Sequence, residues 1–209
     1  MKSKRIMSLL CIGLLAISLT ACGSSKETSQ KQDAAKQTEQ GTASQVKGLE
    51  KAIAEQPALL TSIGQSADFE MVKALMDNSQ IKYTINKVAA PADIKAEKVL
   101  VMAVGGSSKG LGAAGIKAED EIKRTEELIK AAKEKKIPII CVHVGGENRR
   151  GELSDKFVKP VAENADYIIV VESGNKDNLF TNIAAQKNIP MDSVKSIADV
   201  AVPLKKAFK

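Results

Sequence analysis

The residues with chemistry to offer gather in four short runs, each placed directly after an apolar stretch. They are Gly64-Gln65-Ser66, Gly105-Gly106-Ser107-Ser108-Lys109-Gly110 continuing to Gly115, Gly145-Gly146-Glu147-Asn148-Arg149-Arg150-Gly151-Glu152, and Glu172-Ser173-Gly174-Asn175-Lys176-Asp177. Glycines let backbone N–H groups turn inward and approach a ligand closely, and Lys109, Arg149 and Arg150 add positive charge, so the runs have the makings of an anion site. Phosphate or carboxylate is the natural ligand group. Gln65, Ser66, Ser107, Ser108, Asn148 and Asn175 would add hydrogen bonds, and Gly106 and Gly110 would add backbone N–H groups. Glu147 and Glu172 would accept from a ligand donor, and His143 would donate if it stands near the mouth. The competing assignment gives the glycines to strand-to-helix turns and leaves the arginines solvated. Against it, the run from 105 to 115 is longer than a connector needs to be, and long loops in compact domains are often functional.

Catalytic readings of the same residues are weaker. Gly105-xxxx-Gly110 begins like a P-loop, but Leu111-Gly112 stands where the Lys-Ser/Thr pair belongs, so the phosphate lysine and the magnesium hydroxyl are missing. Gly106-Ser107-Ser108-Lys109-Gly110 fits G-x-S-x-G after a strand, making Ser108 a formal nucleophile with His143 as its only histidine base. An elbow passes straight into a helix, whereas the helical pattern here resumes only near Lys117. The run Gly-Gly-Ser-Ser-Lys-Gly-Leu-Gly resembles the cofactor loop of short-chain dehydrogenases, but it follows the third strand instead of the first, and no Tyr-x-x-x-Lys pair accompanies it. His143 alternates with Val142 and Val144, as a buried, hydrogen-bonded histidine would. A single histidine with no Cys/His cluster argues against a zinc site, while carboxylate-bound calcium or magnesium stays open, and no cofactor is indicated.

The first two dozen residues supply an address. Lys2, Lys4 and Arg5 precede an apolar run from Ile6 to Leu19 that ends in Leu19-Thr20-Ala21-Cys22. The run is short of the roughly 20 residues a bilayer-spanning helix requires. Residues 1–21 read as a lipoprotein signal peptide, and Cys22 as the acylated first residue, carrying lipid such as palmitate. Residues 22–48 are rich in Ser, Gln, Lys, Thr and Ala and read as a disordered tether holding the domain about 25–30 Å from the membrane. Residues 49–209 are long enough for one ordinary domain with a core, consistent with a 44% hydrophobic content. Loss of Lys2, Lys4 and Arg5 takes the formal charge from +6 to +3, too mild to suggest nucleic acid. Cys141 is left as the single thiol of the domain and sits in an apolar run, where it reads as a small buried hydrophobe.

The elements that must position these residues alternate along the chain. Strands are predicted at residues 58–63, 82–87, 99–104, 138–144 and 167–171. Between them, helices are predicted after Ser66 or Asp68, over 118–136, ahead of the fifth strand with Pro160 blurring its start, and after Asp177. In the 118–136 helix, Ile122, Leu128, Ile129 and Ala132 turn inward, and Asp120 with Arg124, and Glu126 with Lys130, are spaced for local pairing. Strands apolar throughout, separated by helices, imply a parallel sheet covered on both faces: a doubly wound α/β, three-layer domain of five or six strands. Its order is predicted as 2-1-3-4-5, with a Rossmann order or a short sixth strand near Val194–Ile197 as alternatives. The polar runs then meet at the carboxyl edge of the sheet, where open α/β sheets bind ligands.

From about Gln56 onward, Gln-Pro-Ala-Leu-Leu-Thr-Ser-Ile-Gly-Gln-Ser-Ala-Asp, Gly-Gly-Ser-Ser-Lys-Gly-Leu-Gly-Ala-Ala-Gly-Ile, His-Val-Gly-Gly-Glu-Asn-Arg-Arg-Gly-Glu-Leu-Ser-Asp and Gly-Asn-Lys-Asp-Asn-Leu-Phe-Thr resemble an uncharacterised family of exported bacterial domains. The resemblance implies an exported location and brings no activity, cofactor or catalytic residue. The expectation is a lipid-anchored extracytoplasmic protein that binds a small anionic or polar ligand at the carboxyl edge of its sheet. The alternatives are an extracytoplasmic hydrolase using Ser108 or a rim carboxylate, and a protein-interaction module.

Overall fold

The computed structural model describes residues 46–209, which lie within one compact unit. The export signal, Cys22 and the tether up to residue 45 fall outside the described residues. Lys47 and Gly48 already belong to the fold: the Lys47 carbonyl accepts from Met191 N–H at 3.0 Å, and Gly48 packs on the Asp192 carboxylate. No helix among the described residues is long and apolar enough to cross a membrane.

Six parallel strands form one sheet in the order β2-β1-β3-β4-β5-β6. They are β1 (Ala58–Ile63), β2 (Tyr83–Ile85), β3 (Val99–Val104), β4 (Ile139–His143), β5 (Tyr167–Val171) and β6 (Met191–Val194). The order is the expected one with a sixth strand added, three residues earlier than the alternative placed it. In β1, β3, β4 and β5 every residue is buried, because both faces of a parallel sheet are covered and neither is left for water. The edge strand β2 is short, three residues against the expected 82–87, and both Thr84 and Ile85 are exposed, so the alternation in its sequence is not matched by alternating burial.

Helices α1 (Asp68–Asn78) and α6 (Ala201–Lys206) cover one face of the sheet; α2 (Ser108–Ala114), α3 (Ala118–Glu134), α4 (Glu152–Asn164) and α5 (Leu179–Lys187) cover the other. Leu59, Ile63, Met102, Cys141 and Val170 pack beneath α3, α4 and α5, while Leu60, Val101, Val142 and Ile169 pack beneath Phe69, Val72 and Met76 of α1. The chain crosses from one face to the other between β1 and β3, so that pair marks the topological switch point.

Four expectations are corrected. The run 105–115 is not a long loop: helix α2 begins at Ser108, immediately after Ser107, whose Oγ accepts from Gly110 N–H at 3.0 Å as an N-cap. Pro160 does not mark the start of α4 but lies inside its last turns. Arg124 does not pair with Asp120 on the surface. It pairs with Glu121, which is fully buried on the inward stripe of α3 together with Thr125, Leu128, Ile129 and Ala132. Nor do Glu126 and Lys130 pair: Lys130 turns forward to Glu134, and Lys123 pairs with Glu127.

The Glu121 carboxylate accepts from Gly64 N–H at 2.8 Å, from the Gln65 side chain at 3.0 Å and from Arg124 at 2.7 and 2.8 Å. Arg124 also donates to the carbonyls of Ser62 and Ala89, at 2.6 and 2.7 Å. Removing one member leaves the other charge buried, so Glu121→Gln or Arg124→Met should each cost about 3–5 kcal/mol in urea unfolding. The Ser62 hydroxyl, by contrast, is buried with no hydrogen-bond partner. Ser62→Ala should leave stability unchanged or raise it by up to about 1 kcal/mol, and a clear loss would show a partner the geometry lacks.

Candidate functional site

The turn after β1 sets the geometry of the carboxyl edge. Gly64 and Gln65 are both left-handed, at φ 84° and 55°, which swings the chain across to β3. There Gln65 forms an antiparallel bridge with Gly106, and Ser107 N–H donates to the Gly64 carbonyl at 2.9 Å. A Cβ on Gly110 would overlap the Gln65 carbonyl oxygen, so α2 packs directly against this turn. The backbone therefore zips the switch point at its mouth. Gln65 turns its amide away from the edge, toward Glu121 and the Lys87 carbonyl, and Ser154 Oγ accepts from Gly106 N–H at 3.0 Å.

Beside this closed seam, Asp68 lies buried against the ends of β3 and β4. The Asp68 side chain, 3% exposed, reaches from the first turn of α1 to Gly105 and Gly145: a Cβ on Gly105 would stand 2.8 Å from its Oδ2, and one on Gly145 would overlap it. Ser66 is buried beside it, its Oγ accepting from Asp68 N–H at 3.3 Å. Arg149 lies across Gly145 as a roof, with its Nε 3.4 Å from Asp68 Oδ1 and its side chain one-third exposed. Neither Asp68 Oδ2 nor Arg149 Nε makes a hydrogen bond among the described residues. The pair is held together by charge without the directional bonds an arginine and a carboxylate ordinarily form.

Arg149 and Arg150 are adjacent in sequence and opposite in role. Arg150 was expected at the anion site with Arg149, but its side chain is only 10% exposed, and its donors are spent on Asp155, on Asp177 and on the Gly174 carbonyl. It staples the segment after β4 to the segment after β5 and lies over the Phe180 ring. The hydrogen bond from Arg150 holds the Asp177 carboxyl below the usual range. Asn175 is likewise structural: its side chain accepts from Phe180 N–H at 2.9 Å and donates to Thr181, fixing the start of α5. Glu147 pairs with Lys176 at the surface. Ser108, Lys109, Asn148 and Glu172 are exposed and make no side-chain hydrogen bond among the described residues.

His143 is fully buried on the α5 side of the sheet, its ring centroid 5.3 Å from that of Phe180 and packed on Gly174. Its Nδ1 faces the Val104 carbonyl at 2.9 Å and its Nε2 faces the Gly146 carbonyl at 3.2 Å. A neutral imidazole has one N–H, so it donates to one of these oxygens and turns a lone pair on the other. Burial pushes its pKa down, against the pull of the two carbonyls and of Asp68 and with the help of Arg150. With both nitrogens on backbone oxygens, His143 does not serve Ser108. The strand-to-helix context that Ser108 was expected to lack is present, while the base is not. Cys141 is buried and its thiol is pushed up by desolvation, which makes it inert. No group of three metal-ligating side chains is found among the described residues.

Asp68 is the residue that sequence reasoning passed over, because Ser66-Ala-Asp68 after a strand also reads as a helix cap. The signal was its position at the first strand-to-helix turn of a doubly wound sheet, where ligand contacts concentrate.

Comparison with known proteins gives the family and leaves the chemistry open. The chain belongs to the DUF6305 family, a domain of unknown function, which matches residues 55–208. No curated protein sequence matches it. Among solved structures it is similar to a dTDP-4-dehydrorhamnose reductase from Clostridium acetobutylicum, at 10% identity over 73% of this chain and 82% of that chain, with a TM-score of 0.37. It is also similar to AlinE4, an SGNH-hydrolase family esterase, at 9% identity over 69% of this chain and 77% of that chain, with a TM-score of 0.28. Neither likeness bears on the site.

Two outcomes follow from the geometry of this edge. Arg150→Ala should cost about 2–3 kcal/mol, since it removes hydrogen bonds to charged partners, and Arg150→Lys should recover little, because an ammonium lacks the planar fork. The chain has one histidine, so its imidazole resonances titrate without ambiguity. Because the folded pKa lies below the ordinary 6.5, the unfolded chain takes the proton first. This contribution to stability is whole above about pH 6.5 and declines as pH falls toward the folded pKa. NMR titration should give a folded midpoint below 6.5, and a midpoint above it would mean that both carbonyls hold an imidazolium.

Proposed function

We propose that this DUF6305 domain is the ligand-binding part of a lipid-anchored extracytoplasmic protein, and that it takes a small anionic molecule in a recess opened between Asp68 and Arg149 over the ends of β3 and β4. One observation carries the reading: a buried carboxylate and a half-covered guanidinium face each other at a ligand-binding edge of the fold with hydrogen-bonding capacity unspent. A ligand carboxylate or phosphate would be gripped by the terminal nitrogens of Arg149. A donor on the same ligand, an ammonium or a hydroxyl, would satisfy Asp68 Oδ2. Lys109, Asn148 and Glu172 stand exposed on the neighbouring segments and would contact the parts of the ligand that project from the recess. Hydroxy acids, amino acids and small phosphorylated polyols carry this combination of groups.

The anchoring half of the proposal rests on the sequence: basic Lys2, Lys4 and Arg5, the short apolar run, and Leu19-Thr20-Ala21 before Cys22. Cys22→Ser should move the protein from the membrane to the soluble fraction, and unchanged membrane retention without acyl chains would refute lipidation at that residue.

The binding half is tested by thermal shift with hydroxy acids, amino acids, dicarboxylates and sugar phosphates. A ligand at one hundred times its dissociation constant stabilises the native state by about 2.7 kcal/mol, a rise of roughly 5–10 °C for a domain of this size. Arg149→Ala would remove the response but also strand a buried carboxylate. The decisive variant is therefore Asp68→Asn with Arg149→Gln, which removes both charges and should fold near wild-type stability without any saturable shift. Saturable binding that survives in the double variant would place the ligand elsewhere, and the absence of any saturable shift in the wild type would end the anion reading.

A further inference from the structure

At the opposite end of the sheet, the approach to β6 borders an apolar groove of about 690 Å³. One wall is the N-terminal segment, with Val46, Leu49 and Ile53; the other is the end of α5 and the approach to β6, with Ala184, Ile189 and Pro190. Ile53 also lines a second hollow of about 380 Å³ that continues toward Ile137 and Pro138. Such volumes are those of sites for small organic ligands. None of the carboxyl-edge residues contributes to either hollow, and neither holds a cluster of polar groups that would orient a compact polar ligand.

The charges on the rim are biased. Lys47, Lys51, Lys133 and Lys136 border the two hollows, against Glu50 and Asp166. Asp166 is already neutralised by Lys133 at 3.1 Å and accepts from Ile139 N–H at 2.8 Å. Lys47, Lys51 and Lys136 have no ion pair among the described residues. An apolar trough with an excess of ammonium groups over free carboxylates on its rim complements an amphiphile with an anionic head. Lys47 and Lys51 also stand on the segment that leads upstream to Cys22, so a membrane surface lies within a tether's length of this groove if that cysteine is acylated.

We infer that the groove admits an acyl chain of an anionic bilayer lipid, whose head group is held by Lys47, Lys51 and Lys136, and that the domain thereby rests on the membrane by its amino edge. The inference shares the membrane setting of the proposed function but not its carboxyl-edge recess, and it needs no lipid on Cys22 to be tested. The chain from Gly23 onward keeps the whole folded unit and lacks both the apolar Ile6–Leu19 run and Cys22. It should co-sediment with vesicles containing one anionic phosphatidylglycerol for about every three lipids, and bind pure phosphatidylcholine vesicles at least about tenfold more weakly. Lys47→Glu with Lys51→Glu should lower binding by more than about twentyfold, as loss of two surface lysines predicts. Ala185→Trp, which places an indole in the groove from an exposed position of α5, should abolish binding with every lysine intact. Circular dichroism would verify the fold of each variant. Equal binding to both vesicle types, no binding to either, or binding unaffected by Ala185→Trp would each overturn the inference. The last outcome would reduce the edge to a diffuse electrostatic surface. Asp68→Asn with Arg149→Gln should bind vesicles like the parent chain, which separates this result from that of the recess.

Discussion

A buried ion pair governs the carboxyl edge. Glu121 and Arg124 stand one turn apart on α3, yet what they hold lies elsewhere: the Gly64 N–H, the Gln65 amide, and the carbonyls of Ser62 and Ala89. Two charges taken out of water need every remaining lone pair and proton satisfied, and here the backbone of the β1 turn satisfies them. The left-handed turn at Gly64–Gln65 is thus fixed from one side by α3 and from the other by Gly106 and α2. Once it is fixed, α1 begins where it must for Asp68 to arrive beneath Arg149. The Asp68–Arg149 pair is placed in part by contacts from the other face of the sheet.

The two arginines after β4 show how little adjacency in sequence determines role. Both follow a strand and a glycine pair, and both meet aspartates. Arg150 meets two, in fork geometry and almost without water, which makes it a brace between neighbouring crossovers. Arg149 meets one, off-axis and at 3.4 Å, with a third of its side chain in solvent. A side chain with all donors engaged cannot bind anything further at reasonable cost, whereas one held only by charge can exchange its partner for a better one. The difference between the two arginines lies here in the number of hydrogen bonds made, and not in burial alone.

Strands β1, β3 and β5 were legible to the residue, because an apolar run bounded by glycine, proline or charge has one good interpretation in an α/β chain. The order of the sheet followed from the same runs. Helix α2 was not legible: Ser-Lys-Gly-Leu-Gly-Ala-Ala carries two glycines and a single buried side chain, Leu111, so neither propensity nor periodicity marks it. Pro160 looked like a boundary because the cost of interior proline is high, but Phe157, Val158 and Val161 bury enough surface to carry α4 across it. Glu121 lies on the buried stripe of α3 with Thr125 and Leu128, where residue type gives no sign that an acid is buried. The division of labour between Arg149 and Arg150 depends on Asp155 and Asp177 meeting in space, which spacing along the chain does not state.

The N-terminal segment is fastened at both ends of its course. Lys47 and Leu49 bond to Met191 and Asp192 of the edge strand β6, Asp192 accepts from Tyr167 at 2.5 Å, and Ile53 and Ala54 bond to Ala207 and Lys209 at the other terminus. Mechanically, this is a clamp between the first and last residues of the fold. Tension applied through the chain upstream of Val46 loads these bonds side by side and passes into β6 and the C-terminal residues. The β1 turn and the Asp68–Arg149 pair share none of these bonds, so the clamp can yield without breaking a contact of that pair.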